Sequence, residues 1–174
     1  MNIYNIVIIS LAMLLSACGA HVVNHSDMMD MQDHTITSEE QFIIEMMPHH
    51  QEAIDVSINL REYMNEQNIT HQQVMDLLHD IIETQYQEMQ LMQSFIDTWY
   101  NESTYTAQYE KMMSYESEID IQTYLEEMIQ HHKMAVMMAQ QVIELDVRAE
   151  VQQLAESIID AQQEEIELMQ SLLE

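Results

Sequence analysis

Two pairs of adjacent histidines, His49-His50 and His131-His132, stand inside stretches with the apolar spacing of helices. Methionine precedes them at a fixed distance: Met46 stands three residues before His49, Met47 before His50 and Met128 before His131, and Met134 follows His131 by three. Residues three apart on a helix share a face, so each pairing puts a thioether sulfur and an imidazole nitrogen one turn apart. Such donors suit soft and borderline ions: Cu(I) first, Ag(I) as its mimic, and Cu(II) where histidine dominates. His71-x-x-x-Met75 and Met75-x-x-x-His79 repeat the theme. The competing centre of helical bundles is a carboxylate-bridged iron pair, which needs Glu-x-x-His on two helices and a Glu on each of the others. The residue three before each paired histidine is Met46, Met47, Met128 or Ile129, and only Asp76-x-x-His79 approaches that motif. The spacing therefore favours binding a soft ion over a ferritin-like redox enzyme, the alternative class. A third class is a structural helical envelope module without metal, in which histidines pair with Gln85 and Gln162 to set the bundle's register.

The elements that must hold these residues follow from an internal repeat. Residues 42–57, FIIEMMPHHQEAIDVS, match 124–139, YLEEMIQHHKMAVMMA; residues 81–96, IIETQYQEMQLMQSFI, match 158–173, IIDAQQEEIELMQSLL. Ser38, with Gln41 three on, can start a first helix running to about Tyr63. Thr70 with Gln73 can cap a second, to about Trp99. A third runs from about Glu118 to Glu144, and Asp146 can cap a fourth that reaches the end of the chain. Four helices of roughly 25 residues predict an all-α, antiparallel four-helix bundle, ferritin-like, with hairpin repeats 38–99 and 117–174 joined by a connection over 100–116.

Helical spacing assigns the inward stripes. They are Phe42, Met46, His49, Ala53, Val56 and Leu60; Leu78, Ile81, Gln85, Met89, Met92 and Ile96; Tyr124, Met128, His131, Ala135, Met138, Val142 and Leu145; and Leu154, Ile158, Gln162, Ile166, Met169 and Leu173. His50 lies on the neighbouring stripe with Ile43, Met47, Ile54 and Ile58. Pro48 removes one helical hydrogen bond and bends the axis just before the first histidine pair. The second copy has Gln130 there, so a bend is not required for a paired-histidine site.

Composition narrows the functions. The 174 residues suffice for one domain with a core. One Gly, one Pro and many Glu, Gln, Met, Leu and Ile residues suit helices. Thirty-one acidic residues against four basic ones give a formal net charge of −27, which excludes nucleic-acid binding because nothing neutralises phosphates. One Gly leaves no phosphate-cradling loop, one Cys leaves no Cys-x-x-Cys pair, and no Ser-His-Asp arrangement is supported. No catalytic residue and no organic cofactor are implied.

The N-terminus reads as a leader. Residues 3–15, IYNIVIISLAMLL, are apolar but too short for a stable membrane span. Leu15-Ser16-Ala17-Cys18 resembles a bacterial lipobox, so residues 1–18 read as a lipoprotein signal peptide and Cys18 as the lipidation site. The opening MNIYN departs from the pattern in lacking Lys and Arg. Residues 19–37 read as a flexible tether whose His25, Met28, Met31 and His34 form a looser, secondary metal collector. The expected location is the cell envelope, membrane-anchored through Cys18 and facing the periplasm or the exterior.

Met128-x-x-His131-His132-x-x-Ala135-x-x-Met138-Ala139, with Gln162-x-x-Glu165-Ile166-x-x-Met169, resembles the bacterial family grouped as domain of unknown function 305. In the first half Val56-Ser57 replace Met-Ala and Met89 replaces Ile, so the two halves need not bind alike. The resemblance covers about residues 38–174. It implies a ferritin-like four-helix bundle and an exported copper-binding protein that buffers, tolerates or transfers the metal. Carried over residue by residue, it implicates Met46, His49, His50, Met92, Met128, His131, His132, Met138 and Met169; spacing adds Met134.

Overall fold

The computed structural model describes residues 35–100 and 120–174. The leader, Cys18, the collector residues His25, Met28, Met31 and His34, and positions 101–119 of the connection lie outside the described residues. Helix α1 spans Glu39–Glu66, α2 Gln72–Phe95, α3 Ile121–Ile143 and α4 Ala149–Leu173, and a π-helical turn, Ile96–Tyr100, extends α2. Among the described residues no helix is long and apolar enough to cross a membrane.

The caps are partly those expected. The Ser38 hydroxyl accepts from Gln41 N at 3.1 Å, and the Gln41 side chain reaches back to Thr37 N at 3.0 Å. This satisfies amides that the first turn cannot pair internally. α1 then runs to Glu66, and Asn68, in the left-handed region at φ 54°, turns the chain. α2 is capped by His71, not Thr70: its Nδ1 accepts from Val74 N at 3.4 Å. α3 begins behind Asp120, whose carboxylate accepts from Thr123 N at 2.9 Å. α4 begins behind Arg148 with no side-chain cap, where Asp146 was expected. The physical reason is tertiary. Arg148 pairs with Glu39, donates to the Tyr100 hydroxyl at 3.2 Å and lies 4.5 Å over the Trp99 ring. Its backbone amide donates to Glu39 Oε2 at 2.9 Å, which satisfies one N–H of the α4 start from another helix. One cation thus gathers the starts of α1 and α4 and the end of α2.

Two apolar clusters show how the helices run. The first joins the start of α1 (Phe42, Ile43, Met46, Met47), the end of α2 (Met92, Phe95), the later half of α3 (Ala135 to Val142) and the first half of α4 (Val151 to Ile158). The second joins the later half of α1, the first half of α2, the start of α3 and Met169 of α4. Hence α1 is antiparallel to both α2 and α3, α3 is antiparallel to α4, and α2 runs parallel to α3. The end of α2 and the start of α3 lie at opposite ends of the bundle, so a short turn cannot join them. That is the ferritin-like arrangement of two hairpins and a long connection.

The expected inward stripes are buried with four exceptions. Met89, Leu145 and Ile166 are only partly buried and Leu173 is exposed. On α2 the inward path steps from Gln85 to Glu88 to Met92, so a carboxylate takes the place expected for Met89.

Where the first half has Ser57, the second has Ala139; where the second has Tyr124, the first has Phe42. The Ser57 and Tyr124 hydroxyls are both buried and bond to each other at 2.7 Å. Removing either partner strands the other, at about 1–3 kcal/mol. We expect Tyr124→Phe and Ser57→Ala each to destabilise the protein by that amount in denaturant unfolding. The double variant, which recreates the Phe/Ala chemistry of the other half, should cost less than the sum. Strict additivity would show that the bond contributes nothing.

Candidate metal centre

All four paired histidines are buried where the two apolar clusters meet. His49 and His131 occupy equivalent places in the repeat and face each other across α1 and α3, ring centroids 3.7 Å apart and planes 34° apart. His50 lies 6.3 Å from His49, and His132 lies 6.2 Å from His131. Each of these outer rings is held by the other helix of its own hairpin. His50 Nε2 stands 2.7 Å from Glu88 Oε2 of α2, and His132 Nε2 stands 2.7 Å from Glu165 Oε2 of α4. Glu88 and Glu165 are again equivalent in the repeat, so the layer has a two-fold pattern: inner ring against inner ring, outer ring against carboxylate.

The layer is under-satisfied. Neither ring nitrogen of His49 has a hydrogen bond, nor has Nδ1 of His50, His131 or His132. His131 Nε2 is 3.4 Å from Glu52 Oε2, an ion-pair distance too long for a good hydrogen bond. The Gln85 and Gln162 amides are buried with no bond from nitrogen or oxygen. The His–Gln layer of the alternative structural reading is therefore not what forms; the outer histidines meet glutamates. Burial, reinforced by His131, His50 and His132, holds the His49 imidazole well below its usual range. Burial also pulls His131 down to about 4, against the opposing pull of the nearby Glu52 carboxylate. Both inner rings are thus neutral at pH 7, with lone pairs open to a metal.

The thioethers flank this layer. Met46, Met92 and Met138 lie in the cluster on one side, and Met128 and Met169 in the cluster on the other. Met134 is buried on α3. The methionines singled out by the spacing are thus buried in the clusters on either side of the histidine layer. The halves differ as the sequence suggested: Val56 stands at the place of Met138, and Glu52 at that of Met134. Pro48 sits inside α1 beside the layer. The His71, Met75 and His79 series is not brought into it: His71 is exposed and uses Nδ1 to cap α2, while His79 is exposed and faces Glu83 at 3.3 Å. Among the described residues no group of three or more His, Cys, Asp and Glu is placed to hold a metal ion.

Glu52, Glu88 and Glu165 were not among the candidate residues. For Glu88 and Glu165 the signal was present: each follows an inward Gln by three in the repeated Gln-x-x-Glu segment. A search for Glu three before His could not find carboxylates that reach histidine from another helix. Glu52 carried no such signal.

Fold and layer together define a duplicated four-helix bundle with a histidine–methionine midsection. The chain belongs to the family described as "Domain of unknown function (DUF305)", whose model matches residues 17–96, 39–120 and 106–173. It is similar to the solved structure titled "CopM in the Cu(II)-bound form": 28% identity, TM-score 0.64, over 79% of this chain and 96% of that one. "CopM in the Cu(I)-bound form" matches at 28% identity and TM-score 0.60, over 79% and 96%. A DUF305 fragment from Deinococcus radiodurans matches at 28% identity and TM-score 0.64, over 80% and 97%. No curated protein sequence matches.

The buried imidazoles fix a pH dependence. His131 titrates near 6.5 when unfolded and about 4 when folded, so between those values the unfolded chain binds more protons. Stability is full above about 6.5, falls as pH drops towards 4, and levels below, on the order of 3 kcal/mol for this ring. The thermal midpoint of the metal-free protein should follow that course. A flat midpoint between pH 6.5 and 4 would contradict a neutral buried layer.

Proposed function

We propose that the protein binds copper, as Cu(I) in preference to Cu(II), in the mid-bundle layer, and buffers it or passes it on outside the cytoplasm. One observation carries this reading: paired imidazoles are buried between thioether clusters with ring nitrogens that nothing in the fold satisfies. A buried polar atom without a partner costs about 1–3 kcal/mol, and a native core that keeps several has a reason to. A bound soft ion supplies it, because it accepts the nitrogen lone pairs that no donor meets. The ligand set comprises His49, His50, His131 and His132 with Met46, Met92, Met128, Met134, Met138 and Met169. The Cu(I)-, Cu(II)- and Ag-bound structures of CopM support the choice of metal. Binding and release account for the donor set, and no group in it is arranged for turnover.

The test uses His49→Leu, since His49 has no side-chain hydrogen bond to lose. The metal-free variant should unfold at the same denaturant concentration as the parent or later, by up to about 3 kcal/mol. Its Cu(I) affinity, read by titration against a competing chelator, should fall at least ~10-fold, as loss of a ligand requires. A destabilised variant with unchanged affinity would instead identify the layer as structural.

We further propose that a lipid on Cys18 anchors the protein to a membrane, and that His25, Met28, Met31 and His34 act as a secondary metal collector. Cys18→Ser should move the protein from the membrane to the soluble fraction after cell fractionation. Retention of the variant on the membrane would exclude that anchor.

A further inference from the structure

We infer that His50 and His132 bind the metal through Nδ1, and that Glu88 and Glu165 are positioning residues that present those atoms. The inference rests on the copper reading and names its donor atoms. In both halves the Nε2 edge of the outer ring is committed to a carboxylate at 2.7 Å, the length of a charge-assisted hydrogen bond. A carboxylate accepts, so Nε2 carries the hydrogen and donates. For a neutral ring the other nitrogen then holds the lone pair. That nitrogen, Nδ1, is buried and without a hydrogen bond in both rings.

The alternative protonation does not remove the deficit. An imidazolium on Glu88 or Glu165 would carry an N–H at Nδ1 buried with no acceptor. A metal ion replaces that proton and removes the deficit in the same step: the N–H bond breaks, the proton leaves to solvent, and the nitrogen pair goes to the metal. Imidazoles that bind metals commonly donate their second ring nitrogen to a carboxylate, which sets the tautomer, fixes the ring plane and raises ligand basicity. Here the carboxylates come from α2 and α4 while the rings come from α1 and α3. The orientation of each donor therefore depends on its hairpin being closed.

The duplication argues against accident. Glu88 and Glu165 are equivalent in the repeat, as are His50 and His132, and the two distances agree. By contrast Glu52, beside His131, has Met134 as its equivalent in the other half and forms no repeated pair. The inner rings have no comparable anchor: His49 has no side-chain hydrogen bond on either nitrogen.

The experiment labels histidine with 15N in the full chain and adds Ag(I), whose closed shell permits NMR. Nδ1 of His50 and His132 should shift as metal-bound nitrogen, with Nε2 keeping the signature of a protonated nitrogen. Glu88→Gln/Glu165→Gln, shown to be helical by circular dichroism, should bind Cu(I) about 10–100-fold more weakly against a chelator. Metal on Nε2, or Ag(I) uptake that leaves both outer rings unchanged, would overturn this inference alone. So would a folded double variant of undiminished affinity. A chain that takes up no Ag(I) overturns the copper reading with it. Should the variant not fold, the wild-type spectrum decides.

Discussion

Four imidazoles buried at one height are the constraint around which this bundle is organised. A ring in the core loses its water and must recover a partner for each nitrogen or bear the cost. The outer rings recover one partner each, from Glu88 and Glu165. The inner rings recover mainly each other, at 3.7 Å. That contact is apolar in kind and meets no hydrogen-bonding need. The remaining deficit is divided between apolar clusters large enough to hold the helices together around it. The core thus has apolar ends and a polar middle whose buried atoms are only partly satisfied.

The duplication explains why the cost falls where it does. Two hairpins related by a two-fold place equivalent residues against each other, so His49 meets His131 rather than an unrelated side chain. The same relation sends each outer ring to its own hairpin partner. Departures from symmetry are then informative. Ser57 with Tyr124 exchanges an apolar pair for a hydrogen-bonded one without changing the fold. Glu52 and Val56 stand where the second half has Met134 and Met138, so the first half is poorer in sulfur and carries a carboxylate in its place.

Much of this was legible in the chain. Apolar spacing and the two-part repeat specified four helices, their pairing into hairpins and the height of the histidines, since each depends on local periodicity. The caps were less legible: His71 and Arg148 displaced Thr70 and Asp146. Arg148 is held by Glu39, Tyr100 and Trp99, none of them near it in sequence. Met89 was misplaced for a similar reason. Hydrophobicity favours it over Glu88 on the inward stripe, but a buried imidazole on the facing helix makes the carboxylate the better fit.

What the sequence determined by itself was which side chains share a face: methionine and histidine one turn apart, twice, without Glu at the position an iron pair requires. That is a local property, because residues three apart on a helix share a face wherever the helix packs. What only the tertiary structure decided was which nitrogens are spoken for. His49 and His50 are neighbours with the same sequence signals, yet one meets His131 and the other Glu88. The distinction arises from which helix faces each ring. No spacing along α1 encodes it, since the partners lie 38 residues away for His50 and on α3 for His49. The stretch EMMPHH thus set methionine one turn from histidine, and the packing of α2, α3 and α4 around it gave each histidine its neighbours.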